Sequence, residues 1–148
     1  MLSTTEDRRP VEPHEPDDDV EYTGRAAFAM RRRSPARVIV TADGEIDATN
    51  GKALGRFVER HTGISTQLVL DLSNVEFFGS QGFRALHYVD VHCARSDVDW
   101  ALVGSPAVRR LLEILDPNDE FPLVEDLAAA QSRLNCLARC HRLVMGRG

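Results

Sequence analysis

The stretch LVLDLSNVEFFGSQGFRAL, residues 68–86, contains a change of period from strand to helix, and the rest of the chain is arranged around it. Leu68, Val69, Leu70 and Leu72 make a nearly continuous apolar run, interrupted only by Asp71. A central strand covered on both faces requires such a run. Ser73 and Asn74 break it, Phe77 and Phe78 are expected to return to the interior, and Gly79 permits a sharp turn. Beyond the turn Phe83, Leu86, Val89 and Cys93 recur at steps of three and four. They share one arc of a helix, with Arg84, His87 and Asp90 mostly outside it. Ser80 stands where the N-cap of that helix is expected, its hydroxyl placed to accept from a free amide of the first turn. That position is the positive end of a helix, where exposed N–H groups and the macrodipole favour a phosphate.

Outward from this stretch, strands and helices alternate. Residues 25–33, with Ala27, Phe28 and Met30 among small or polar neighbours, read as an edge strand, and residues 37–42, with Val38, Ile39 and Val40, as its hairpin partner across Ser34-Pro35. Arg31, Arg32 and Arg33 suit either a charged guard against strand pairing, the favoured reading, or a nucleic-acid- or phosphate-binding patch. Asp47 or Thr49 is placed to cap a helix whose apolar face is Leu54, Phe57 and Val58 and whose stop is Gly63. Residues 97–103 supply another strand, and Ser105-Pro106 opens a helix with Val108, Leu111, Leu112 and Leu115 on its apolar side, ended by Asp116-Pro117-Asn118. Residues 121–124 read as a short strand, and Asp126 as the cap of a last helix with Leu127, Ala130, Leu134 and Leu137 inward. The pattern predicts an α/β fold: a mixed sheet of four to five strands with helices packed against it.

The central stretch resembles the STAS domain of bacterial anti-sigma factor antagonists. That family carries a strand ending in an aspartate and a small polar residue, then turn residues, two apolar residues, and Asp-Ser-Ser/Thr-Gly opening a helix. Asp71, Leu72, Ser73, Asn74, Val75, Phe77 and Phe78 match the run, with Gly79, Ser80, Gln81 and Gly82 at its end. Gly44, Glu45, Ile46 and Asp47 match a second family run, Gly-Glu-Leu/Ile-Asp. The resemblance covers about residues 25–135 and implies that Ser80 is the serine an anti-sigma factor kinase phosphorylates. Gly79 stands where the family has its aspartate, and Gln81 where it has the second hydroxyl. Ser80 is therefore read as a phosphorylation site or as a helix cap only, and Asp47 as a turn residue or an interface residue.

What the resemblance implies is a regulatory protein that binds an anti-sigma factor of the serine-kinase type through Glu45, Asp47, Gly79, Ser80 and Gln81, with phosphorylation switching that binding off. The alternatives are a constitutive STAS scaffold and a ligand-sensing module; no cofactor is implied. Residues 1–24 are expected to form a disordered acidic tail, with Pro10, Pro13 and Pro16 spaced through it and Asp17, Asp18 and Asp19 in a row. It is either simply solvated or an arm that meets a basic partner surface. Residues 136–148 are expected to be a C-terminal extension.

Composition narrows the classes further. A net charge of -5 and a pI near 5.5 argue against a nucleic-acid module. No apolar run approaches the roughly 20 residues of a membrane helix, and MLSTTEDRRP lacks the apolar centre of a secretory signal, so cytoplasmic residence is expected. Cys93, Cys136 and Cys140 are expected to be reduced thiols. Cys136 and Cys140, one helical turn apart, could hold an edge of a zinc site, with His141 adjacent and with His92 and Cys93 as further ligands only if the terminal helix packs there; ordinary thiols are favoured. An enzyme is not expected. A nucleophile elbow needs glycine where Phe78 stands, His87 and His92 lie on the same helix as Ser80 and away from it, and no Walker-type loop is present.

Overall fold

The apolar run at residues 68–72 lies in the middle of a mixed sheet, covered on both faces as its pattern requires. The computed structural model describes residues 19–147. Their strands are β1 (Asp19–Thr23), β2 (Ala26–Arg32), β3 (Arg37–Ile46), β4 (Gln67–Phe78), β5 (Asp99–Gly104) and β6 (Leu123–Val124), hydrogen-bonded in chain order. β1, β2 and β3 are antiparallel, and β3 to β6 are parallel. The parallel pairs are joined by α1 (Gly51–Thr62), α2 (Ser80–Arg95) and α3 (Pro106–Leu115), and α4 (Leu127–Arg147) follows β6.

Alternation along the strands divides the core in two. Val38, Val40, Leu68, Leu70, Leu72 and Leu102 face a large cluster completed by Leu54, Phe57 and Val58 of α1, Leu86 and Val89 of α2, and Val108 and Leu112 of α3. Ile39, Val69, Ala101 and Val103 face the other way, against Ala130 and Leu134 of α4. Each fully buried leucine in these layers contributes about 2 kcal/mol of transfer free energy, an upper figure because unfolded chains already bury part of it.

Local chemistry stops α1 and starts α3 and α4 where the sequence leads one to expect. Gly63 ends α1 at φ +42°. The Ser105 hydroxyl accepts from the Val108 amide at 3.2 Å with Pro106 at the first helical position, and the Asp126 carboxylate accepts from the Ala129 amide at 2.8 Å. No helix among the described residues is long and apolar enough to cross a membrane.

Four features differ from the sequence reading. The sheet has six strands rather than four to five, because Asp19–Thr23, assigned to the tail, pairs with β2. Gly24 at φ +61° makes the two-residue turn that joins them. β2 is thereby an interior strand, not an edge. Phe77 is 52% exposed, while Phe78 is buried. β4 continues through both residues, and pleating sends neighbours to opposite faces. Residues 136–147, expected as a C-terminal extension, continue α4 without a break. The acidic stretch before Asp19 lies outside the described residues.

Candidate functional site

The two segments singled out from the sequence meet at the C-terminal ends of neighbouring parallel strands. Glu45 is level with Phe77 and Ile46 with Phe78, and the Gly79 amide donates to the Ile46 carbonyl at 3.0 Å. The loop from β3 to α1, carrying Glu45 and Asp47, therefore lies directly beside the turn from β4 to α2, carrying Gly79, Ser80 and Gln81. The fold brings all five residues to one end of the sheet.

Gly79, not Ser80, is the N-cap of α2. Its backbone is extended, and its carbonyl accepts from the amides of Gly82 at 2.9 Å and Phe83 at 3.2 Å. No side chain caps the helix. Ser80 is the first helical residue, and its hydroxyl faces solvent. The expected cap is displaced by one position because the carbonyl of Gly79 starts the helical ladder and glycine has no oxygen to add to it. The amides of Ser80 and Gln81 meet no acceptor among the described residues. An anion on the Ser80 hydroxyl would sit beside these two donors at the positive end of a sixteen-residue helix.

Two tight contacts fix this corner. A Cβ on Gly82 would stand 2.5 Å from the Phe78 ring, and one on Gly51, at the start of α1, 2.8 Å from the Gln81 side chain. The first turn of α2 is thus clamped between the end of β4 and the start of α1.

On the other side, Asp47 makes a turn rather than a helix cap. Its carboxylate accepts from the Thr49 amide at 2.9 Å and the Thr49 hydroxyl at 2.6 Å. Those two bonds, the hydroxyl's first, hold its carboxyl below the usual carboxylate range and keep it ionised. The residue at the helix start is Asn50, 1% exposed and missed by the sequence reading. Its Nδ2 donates to the Glu45 carbonyl at 2.9 Å and the Thr23 carbonyl at 3.1 Å, and its Oδ1 accepts from the Asp47 amide at 2.9 Å. One side chain thus ties β1, β3 and α1 together beneath the site. Glu45 lies 3.7 Å from Arg25 across an exposed ion pair of little energetic weight.

The other candidate side chains are engaged elsewhere. The His87 ring packs edge-on against Phe83 and Phe121, and the His92 ring hydrogen-bonds the Thr62 hydroxyl at 2.7 Å. Cys93 is buried, Cys136 and Cys140 are exposed, and no group of three metal-ligating side chains occurs among the described residues.

A central buried strand, a turn and a helix opening on an exposed serine, beside a Gly-Glu-Ile-Asp loop, form the arrangement that the STAS domain family profile matches over residues 27–130. The chain belongs to the STAS domain family. An anti-sigma factor antagonist from Mycobacterium paratuberculosis superposes with a TM-score of 0.61 at 25% identity, covering 82% of this chain and 97% of that one. The unphosphorylated form of the anti-sigma factor antagonist SpoIIAA superposes with a TM-score of 0.61 at 15% identity, covering 73% and 96%, and attests the fold. Osmosensory protein A of Mycobacterium tuberculosis is 41% identical over 70 residues, which are 47% of this STAS chain. The matched part is 44% of that relative, less than half its length.

Proposed function

We propose that this STAS protein is an anti-sigma factor antagonist whose unmodified form binds an anti-sigma factor of the serine-kinase type through Glu45, Asp47, Gly79, Ser80 and Gln81, and that phosphorylation of Ser80 ends the binding. The observation that carries the reading is the exposed Ser80 hydroxyl at the first residue of α2, held beside the Asp47 turn by the Gly79 to Ile46 hydrogen bond. A kinase can reach such a hydroxyl without unfolding anything. The phosphate would be received by the free amides of Ser80 and Gln81 and would add nearly two negative charges to a surface that already carries Glu45 and the ionised Asp47. A partner surface shaped for a neutral hydroxyl then loses about 1 to 3 kcal/mol, the usual scale of a coupling free energy. Release of the sigma factor follows when the unmodified form captures its anti-sigma factor, and such a role places the protein in the cytoplasm.

One observation favours a second reading. Gly79 leaves α2 without a side-chain cap, and Gln81 replaces the second hydroxyl of the family pattern, which suits a constitutive STAS scaffold or ligand-sensing module with a neutral interface. Incubation with ATP and each anti-sigma factor of the source organism, followed by mass-spectrometric site mapping and calorimetry, separates the two. One anti-sigma factor is expected to phosphorylate Ser80 and then to bind at least about fivefold more weakly. Equal affinity before and after phosphorylation would refute the switch, and tight binding with Ser80 never modified would establish the constitutive module.

A further inference from the structure

α1 and α2 run side by side, and two glycines set their spacing. Gly51 abuts Gln81, and a Cβ on Gly55 would lie 3.2 Å from the Tyr88 ring. Between the helices lies an open groove of about 290 Å³. Its charged lining consists of Lys52 and Arg56 from α1 and Arg84 from α2, all three exposed, with no carboxylate among the lining residues. None of the three pairs with an acid among the described residues, whereas Arg25 and Arg60 nearby have Glu45 and Glu21. The nearest acid along α1, Glu59, is engaged by the Tyr88 hydroxyl. In a chain of net charge -5 the groove lining thus gathers three positive charges, with the Glu59 carboxylate just beyond it at the Tyr88 hydroxyl. Arg84 lies one helical turn beyond Ser80 on the same face.

We infer that this groove receives a carboxylate-rich segment of the partner protein, an inference that rests on the anti-sigma factor reading for the partner's identity and adds its chemistry. Charge complementarity selects the class: clustered cations between low-dielectric walls focus a positive potential and steer an acidic segment in. Further along α2 two large side chains stand out among polar neighbours, Tyr88 45% exposed and Val91 47% exposed, and supply the aromatic and aliphatic anchors a protein interface uses and an isolated small anion does not need. Three cations are too few for a nucleic-acid backbone, where tight sites neutralise about 6 to 10 phosphates. The groove also gives the switch a physical form. A phosphate on Ser80 stands one turn from Arg84, so it neutralises the cations that the acidic segment needs.

The test uses the full chain, labelled with ¹⁵N, titrated at low salt with a short peptide of glutamates around one leucine, and in parallel with a hexathymidine oligonucleotide. The expected result is saturable shifts for the peptide alone, confined to residues 51–56 and 80–91. In the surface variant Lys52→Glu/Arg56→Glu the affinity is expected to fall at least tenfold, since like charges at an interface repel strongly. Ser80→Glu is expected to weaken the peptide as well. Peptide shifts elsewhere, none at all, or equal responses to peptide and oligonucleotide would overturn the inference. If an anti-sigma factor binds and Lys52→Glu/Arg56→Glu leaves its affinity unchanged, the groove assignment fails while the proposed function stands. If no anti-sigma factor binds and the peptide still does, the partner's identity fails and the acidic-segment chemistry stands.

Discussion

Asn50 is the side chain whose loss tests how the site is held. Replacing it by alanine deprives the Thr23 and Glu45 carbonyls of their donor and the Asp47 amide of its acceptor, at a position only 1% exposed. Counting about 1 kcal/mol for each of the three lost bonds gives about 3 kcal/mol. For a chain of this length that lowers the melting temperature by about 10 °C. Asn50→Asp sharpens the test, because it keeps the shape and the acceptor but sets a carboxylate oxygen against two carbonyls. Burial and those carbonyls would raise the introduced carboxyl's native pKa above its unfolded value near 4, so the folded state would bind the extra proton. The added cost is then full above the raised pKa and recedes as pH falls through it. Urea unfolding followed by the fluorescence of Trp100, the single and buried tryptophan, measures both variants. A loss below 1 kcal/mol for Asn50→Ala, or an Asn50→Asp penalty that does not shrink on acidification, would refute the assignment of Asn50 as the tie between β1, β3 and α1.

Three shorter predictions concern the frame. Gly44→Ala should cost about 2 kcal/mol or more in the same urea assay, because Gly44 sits at φ +103° and a Cβ there would stand 2.2 Å from the Arg25 carbonyl oxygen. His61 is mostly buried beside Phe57, its Nε2 lying 3.1 Å from the Asp19 carboxylate without hydrogen-bond alignment, and burial pushes its pKa down despite that acid. The unfolded chain therefore takes up the proton first, so stability is full above about pH 6.5 and declines as pH falls through that value, a slope that His61→Gln should flatten. Burial pushes the Cys93 thiol up to about 12, so Ellman's reagent at mild alkaline pH should titrate Cys136 and Cys140 rapidly and Cys93 only after unfolding; three equally fast thiols would contradict the burial.

What could be read from the sequence was local. The apolar run at Leu68, Val69, Leu70 and Leu72, the caps Ser105 and Asp126, and the stop at Gly63 each depend on residues within a few positions, and each lies where the pattern placed it. Phe77 was legible in principle, since strand pleating cannot send it inward together with Phe78. β1 was not. Val20 and Tyr22 bury little, and their strand exists through its ladder to β2, a partner that single-segment periodicity does not reveal. Asn50 escaped for the same reason in sharper form: its three partners come from the ends of β1 and β3 and from the Asp47 turn, so its role is visible only once those segments meet. Lys52 and Arg56 are an evident pair at a four-residue spacing, but the groove needs Arg84 from the next helix.

How a phosphate could act here is constrained by the rigidity of the corner it would join. Phe78 fills the space beneath Gly82, Gly51 abuts Gln81, and Gly79 is bonded to Ile46, so the first turn of α2 has little room to move. An exposed Ser80 hydroxyl has no buried neighbour to displace, which leaves the surface potential as the lever: cations at Lys52, Arg56 and Arg84 on one side, acids at Glu45 and Asp47 on the other. Surface charges are screened over about 8 Å at physiological ionic strength and about 3 Å at 1 M salt. If Ser80 phosphorylation weakens partner binding through charge, the ratio of affinities between the unmodified and phosphorylated forms must shrink as salt rises. Calorimetry of both forms from low salt to about 1 M measures that ratio directly. A ratio that stays constant across the range would mean that the phosphate acts by steric exclusion or by reshaping α2, and the electrostatic account of the switch would have to be abandoned.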